Sequence, residues 1–179
     1  LRIELAHSLL RESLVRSARE SGREAAHHAA VARALMPRVA SGEPGAAGQV
    51  ASHLVLAGDT RGALTPLRSA AREHVERSEY ALAERVLDRH AALLDQLGAP
   101  PDDPERIEAM VARADILRRR GSTEPAAELA QSALLAAERQ GKTGAAAAAL
   151  YVLGHAEVER GDVDRGRERT TVVALHGGA

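Results

Sequence analysis

The stretch that decides the fold is Ala114-Asp115-Ile116-Leu117-Arg118-Arg119-Arg120-Gly121-Ser122-Thr123-Glu124-Pro125-Ala126-Ala127-Glu128-Leu129-Ala130-Gln131-Ser132-Ala133. Ala114 stands seven residues before Gly121, and Ala126 and Ala133 stand five and twelve after it. Glycine suits the left-handed conformation that ends a helix, and small side chains on both flanks let two antiparallel helices approach closely. The same offsets recur around Gly58-Asp59, with Ala51 before it and Ala63 and Ala70 after it. They recur again around Gly161-Asp162, with Leu153-Gly154 before it and Gly166 and Val173 where alanine is expected. Gly121 and Gly161 are 40 residues apart. The chain therefore reads as an internal repeat of helix hairpins.

Apolar residues three and four apart extend this reading in both directions. Ile3, Ala6, Leu10, Leu14 and Ala18 predict a helix over 3–20, and Ala25, Ala29, Ala32, Leu35 and Val39 a second over 22–39. Pro37 is expected to bend or end that second helix, because proline lacks the amide donor. Ser41-Gly42-Glu43-Pro44-Gly45 is a break. Helices follow near 46–57, 60–77, 79–97, 104–120, 123–140, 144–160 and 162–175, with stops at Gly58-Asp59, at Gly98 followed by Pro100-Pro101, at Gly121, at Gly141 and at Gly161-Asp162. Strand patterns are missing; Thr170-Thr171-Val172-Val173 is too short to count. The expected fold is all-α, an antiparallel helix-hairpin α-solenoid of about nine helices, divided into a helical segment over 1–40 and repeats over 46–179.

Composition narrows the function. The 179 residues hold 38 Ala but no Phe, Trp or Cys, and the only aromatics are Tyr80 and Tyr151. Without cysteine there is no disulfide, thiol nucleophile or Cys-ligated metal. Without Phe or Trp there is no aromatic platform for stacking bases, and a net charge of −1 gives no bulk attraction to nucleic acid or to a membrane surface. No apolar run approaches the roughly 18 residues of a membrane span. The start Leu1-Arg2-Ile3, without Met, suggests a piece of something longer.

The small-residue spacing and Gly-Asp turns over 46–175 resemble the tetratricopeptide repeat (TPR). A second resemblance runs through nearly the whole chain: Leu5-Ala6-His7-Ser8-Leu9-Leu10-Arg11-Glu12-Ser13-Leu14-Val15, then His28-Ala29-Ala30-Val31-Ala32-Arg33-Ala34-Leu35, then Ala51-Ser52-His53-Leu54-Val55-Leu56-Ala57-Gly58-Asp59, then Ser78-Glu79-Tyr80 through Leu93-Leu94-Asp95-Gln96-Leu97-Gly98. In this order they resemble the helical arm of bacterial STAND-type signal-transduction ATPases. There a P-loop switch domain precedes a TPR-like arm, in proteins fused to serine/threonine protein kinases, nucleotide cyclases or LuxR-type DNA-binding domains. The wording at 87–98 and 113–121 looks most like the kinase-linked group. The resemblance implies that a nucleotide-binding and winged-helix region precedes residues 1–40. It also implies a cytoplasmic location and an arm whose partner is another protein, a peptide or the parent's own switch domain. The matched residues are packing and turn residues, so it implies no catalysis here.

Catalytic patterns fail one by one. Gly141-Lys142-Thr143 resembles the end of a phosphate-binding loop, but the glycine needed five residues earlier is Ala136, inside a helical run. The eight histidines contain no HExxH pair, and adjacent His27 and His28 point about 100° apart on a helix. His7, His28 and His53 fall on family positions that look structural. Carboxylates are interspersed with Arg as on solvated helix faces, and the Arg118-Arg119-Arg120 triplet reads as a solvated helix end. No catalytic residue, cofactor site or metal site is expected. What remains is a partner surface. In TPR-like stacks the first helix of each pair lines a groove, which here would present Glu108, Val111, Asp115 and Arg118, then Tyr151, His155 and Glu159. The expected function is a non-catalytic interaction and regulatory module of a larger signalling ATPase; the alternative is a stand-alone TPR scaffold that assembles partner proteins.

Overall fold

The computed structural model describes residues 22–164 without interruption, together with 13, 16, 17, 166, 167, 169 and 171. Seven helices have defined bounds: α1 (Glu24–Ala40), α2 (Ala46–Leu56), α3 (Leu64–Glu76), α4 (Tyr80–Gln96), α5 (Pro104–Arg119), α6 (Thr123–Arg139) and α7 (Thr143–Glu159). No strand occurs among the described residues, so the all-α expectation holds. About nine helices were expected; the first and last of them fall largely outside the described residues, where 13, 16, 17 and six positions from 163 to 171 are helical.

Two bounds differ from the sequence reading. Pro37 neither ends nor interrupts α1, which continues to Ala40. It lies in the last turn, so its missing N–H costs one hydrogen bond, while its carbonyl still accepts from Ser41 N at 3.0 Å. The third helix starts at Leu64 rather than near residue 60. The Asp59 carboxylate accepts from Gly62 N at 2.8 Å and holds residues 59–62 in a turn.

The chain divides into two compact units, Leu1–Pro66 and Leu67–Ala179. In the first, α1 packs on α2, and Ala46, Ala47, Val50 and Ala51 of α2 are buried. In the second, α5 packs on α4, α6 and α7, and α6 packs on α7. One core cluster joins Ile107, Ala114, Ala126, Ala130, Ala133, Ala149 and Val152. A second joins Ala71, Ala83, Leu87, Ala109 and Ile116, with Tyr80 against it.

Seven turns among the described residues share one hydrogen-bond pattern, in which the turn residue's N–H bonds three residues back and the next N–H five back. This is the Schellman arrangement. The turn residues are Gly42, Gly58, Ser78, Gly98, Gly121, Gly141 and Gly161, all at positive φ. From Gly58 onward they recur every 20 residues, or 23 where Pro100–Asp103 intervene. The sequence reading missed the copy at Ser78, because serine does not advertise a left-handed backbone. Counted from it, Ala71 is seven before, Ala83 five after and His90 twelve after, and all three are buried. Thus α3 carries the second-helix position counted from Gly58 (Ala70) and the first-helix position counted from Ser78 (Ala71).

Ser78 holds φ 60°, where a side chain costs about 1 kcal/mol or more. Ser78→Gly is expected to stabilise the chain by about 0.5–1 kcal/mol, less the entropy glycine adds to the unfolded state. Urea denaturation checks this; a destabilised variant refutes it.

Around Gly161 the small positions are filled by glycine on both sides. A Cβ on Gly166 would lie 2.7 Å from the Gly154 carbonyl oxygen and 2.5 Å from Val158 Cγ2. Gly166 is therefore a tighter version of the alanine position, and it is buried. Val173 lies outside the described residues.

Candidate functional site

The groove residues expected from the sequence lie on α5 and α7, which pack against each other. Four of the seven come together. Asp115 accepts from Arg118 Nη2 at 2.7 Å and Nε at 3.0 Å, and its other oxygen accepts from Arg119 Nε at 2.7 Å. Held this way, the Arg118 guanidinium lies 5.4 Å from the centre of the Tyr151 ring, within cation–π range. His155, one turn along α7, meets Tyr151 edge-on with ring centres 4.6 Å apart. Arg118 is thus not a solvated helix end: its side chain is only 14% exposed. Arg119 is more open, and hydrogen bonding to Asp115 raises its pKa further.

Three residues lie elsewhere. Val111 is buried and belongs to the core, because it faces the small residues of α6 and α7. Glu108 pairs with Arg68 Nη1 at 3.5 Å. Glu159 accepts a hydrogen bond from the Thr123 hydroxyl. Tyr151 remains 39% exposed, so it does more than fill space between alanine-rich helices. One ring face carries a guanidinium and the surrounding surface stays open, which suits polar or aromatic recognition. No nucleophile–base pair is formed by these four side chains.

The glycine-lysine-threonine string is the turn between α6 and α7. Gly141 N bonds Glu138 O at 3.1 Å, Lys142 N bonds Ala137 O at 2.8 Å, and Thr143 N bonds Gly141 O at 3.2 Å. Those amides are already engaged, so they cannot wrap a phosphate as such a loop requires. An open cleft of about 340 Å³ beside the turn is lined by Ala137, Glu138, Lys142, Ala146 and Leu150 among others. Among the described residues there is no group of three or more His, Cys, Asp or Glu placed to hold a metal. None of their helices is long and apolar enough to cross a membrane.

Two clusters escaped the sequence reading. The first joins Arg68 on α3, His90 on α4 and Glu105 in the first turn of α5. Glu105 Oε2 accepts from Arg68 Nε at 2.7 Å and from His90 Nε2 at 3.2 Å. A carboxylate only accepts, so the bond fixes the His90 hydrogen on Nε2. His90 is fully buried, and its Nδ1 has no hydrogen-bond partner. It occupies the slot twelve residues after Ser78 where the copies at Gly58 and Gly121 carry alanine. The His90 bond, opposed by burial and aided by Arg68, lowers the Glu105 pKa from 4.5 to about 2. Because the folded value lies below the unfolded one, the stabilisation is complete above about pH 4.5 and is lost as pH falls towards 2. Its expected size is about 2–3 kcal/mol. Urea titrations from pH 6 to 2 check this: Glu105→Gln should flatten the acid limb, and an unchanged slope refutes the assignment.

The second cluster pairs His28 on α1 with His53 on α2, their Nδ1 atoms 2.9 Å apart. Both residues are partly buried. The signal available in the sequence was register alone, since each histidine sits on the side of its helix that carries the buried alanines.

Compared with known proteins, the chain matches no protein-family model and no curated relative.

Proposed function

We propose that the chain is a non-catalytic protein-interaction and regulatory module, a TPR-like helical arm of a larger bacterial STAND-type signalling ATPase associated with a serine/threonine kinase. The observation that carries this reading is the Arg118–Tyr151–His155 cluster, assembled across α5 and α7 on helices whose spacing is set by the repeated small residues. The 20-residue rhythm of Schellman turns supports a repeat array, and the motif order from Leu5 to Gly98 supports the parent family. The arm would bind a protein or peptide, or pack on the parent's own switch domain. It would shift that switch only through contacts that differ between its two states.

Sequencing the genome upstream of Leu1 tests the assignment to a parent. A nucleotide-binding loop and kinase motifs there support it, and a start codon immediately before Leu1 leaves the stand-alone TPR scaffold. The module itself is tested with the chain joined to its upstream ATPase region. Arg118→Ala and Tyr151→Ala should change nucleotide turnover or partner affinity while leaving the helical circular dichroism intact. ATP hydrolysis by the isolated chain would overturn the non-catalytic reading.

A further inference from the structure

We infer that His28 and His53 form a two-histidine site for a divalent transition-metal ion, of the Zn²⁺, Ni²⁺ or Cu²⁺ class, bridging α1 and α2. The role departs from the packing role that their sequence positions suggest. Their Nδ1 atoms converge to 2.9 Å from two different helices, with ring centres 5.1 Å apart and planes tilted by 35°. As a hydrogen bond this contact uses one N–H and one lone pair. When both nitrogens are bare, two lone pairs face each other across the gap between the helices. Two imidazole nitrogens on one tetrahedral ion, each 2.0–2.1 Å from it, are about 3.3 Å apart. To chelate, the pair needs to open by about 0.4 Å and the rings to turn until both lone pairs meet at the ion, beside the line that joins the nitrogens.

The hairpin restrains the two ligands before any ion arrives. The α1–α2 connection is short and holds Pro44 and a left-handed Gly45, the two helices pack against each other, and Ala32 on α1 and Ala46, Ala47, Val50 and Ala51 on α2 are buried. Imidazole selects zinc, nickel and copper over magnesium and calcium, which require oxygen ligands. With two protein ligands the remaining positions go to water or to an exchanging ligand. Metal binding displaces the proton shared by the two nitrogens. The ion would lock α1 against α2.

The test uses the full untagged chain, stripped with a chelator and titrated with ZnCl₂, NiCl₂ or CuCl₂, with MgCl₂ and CaCl₂ as controls. Competition against a chromophoric chelator and the thermal midpoint are both read. Zn²⁺ at a hundredfold excess over its dissociation constant should raise the midpoint by about 5 °C or more, and Mg²⁺ should leave it unmoved. His53→Ala should weaken Zn²⁺ about tenfold or more, whereas His27→Ala, at the exposed neighbouring position, should change it less than about twofold. If His53→Ala does not fold, His28→Gln takes its place, because it keeps a hydrogen bond towards His53 but offers no imidazole. Equal binding by the wild type and the His28→Ala/His53→Ala double variant would overturn the site, as would no response to Zn²⁺ at about 1 mM.

Discussion

Glu105→Ala is expected to lower the unfolding free energy by about 3 kcal/mol at pH 7. The loss has three parts. The His90 Nε2–H, fully enclosed, is left without an acceptor in an apolar surround, and that alone costs about 1–3 kcal/mol. Arg68, only 28% exposed, keeps Glu108 at 3.5 Å but loses its 2.7 Å partner. The first turn of α5 also loses a negative charge that favours the helix N-terminus. Glu105→Gln should cost about half as much, since its amide oxygen still accepts one of the two donors. Urea denaturation at pH 7 measures both, and a Glu105→Ala variant within about 0.5 kcal/mol of wild type would show that the cluster carries no weight. Pairing Glu105→Ala with His90→Leu separates the enclosed donor from the rest. If that donor dominates, the double variant recovers much of the loss.

Ala126→Leu is the second large effect, expected at about 3 kcal/mol, with a thermal midpoint lower by about 6–12 °C. Ala126 has no exposed surface and sits in the core that joins α5, α6 and α7. Six of the seven buried residues of α6 are alanines, so close helix approach, rather than interdigitation of large side chains, makes this interface. Three added carbons have nowhere to go unless the helices separate, and separation removes contacts along their whole length. Ser132→Leu on the exposed side of the same helix places the same side chain outward and should stay within about 0.5 kcal/mol of wild type. Similar losses from both substitutions would place the cost in helix propensity instead of packing.

The helices were legible because glycine stops are chemically explicit, and six of the seven turn residues are glycine. The exception was hidden: Ser78 adopts the same backbone without the residue that signals it, and α3 lost its second role in consequence. The start of α3 was misjudged for a local reason, the Asp59 carboxylate holding Gly62 in a turn. At the candidate surface, helical register put Asp115, Arg118, Tyr151 and His155 on one side, and these four side chains meet in the structure. It could not separate Val111, which turns into the core, or Glu108 and Glu159, which are drawn to Arg68 and Thr123. The His90–Glu105 and His28–His53 contacts span 15 and 25 residues. Such pairings depend on how helices are set beside one another, which no spacing within a helix encodes.

The placement of Ala70 and Ala71 side by side on α3 has an architectural consequence. In the repeat array proposed above, a helix that carries the markers of both hairpin positions makes the single helix, not the pair, the unit of growth. Such a chain can lengthen by one 20-residue segment without a partner segment being supplied at the same time. Each added segment reverses the direction in which the chain leaves the array, so an odd or even number of helices decides at which end the next domain is attached.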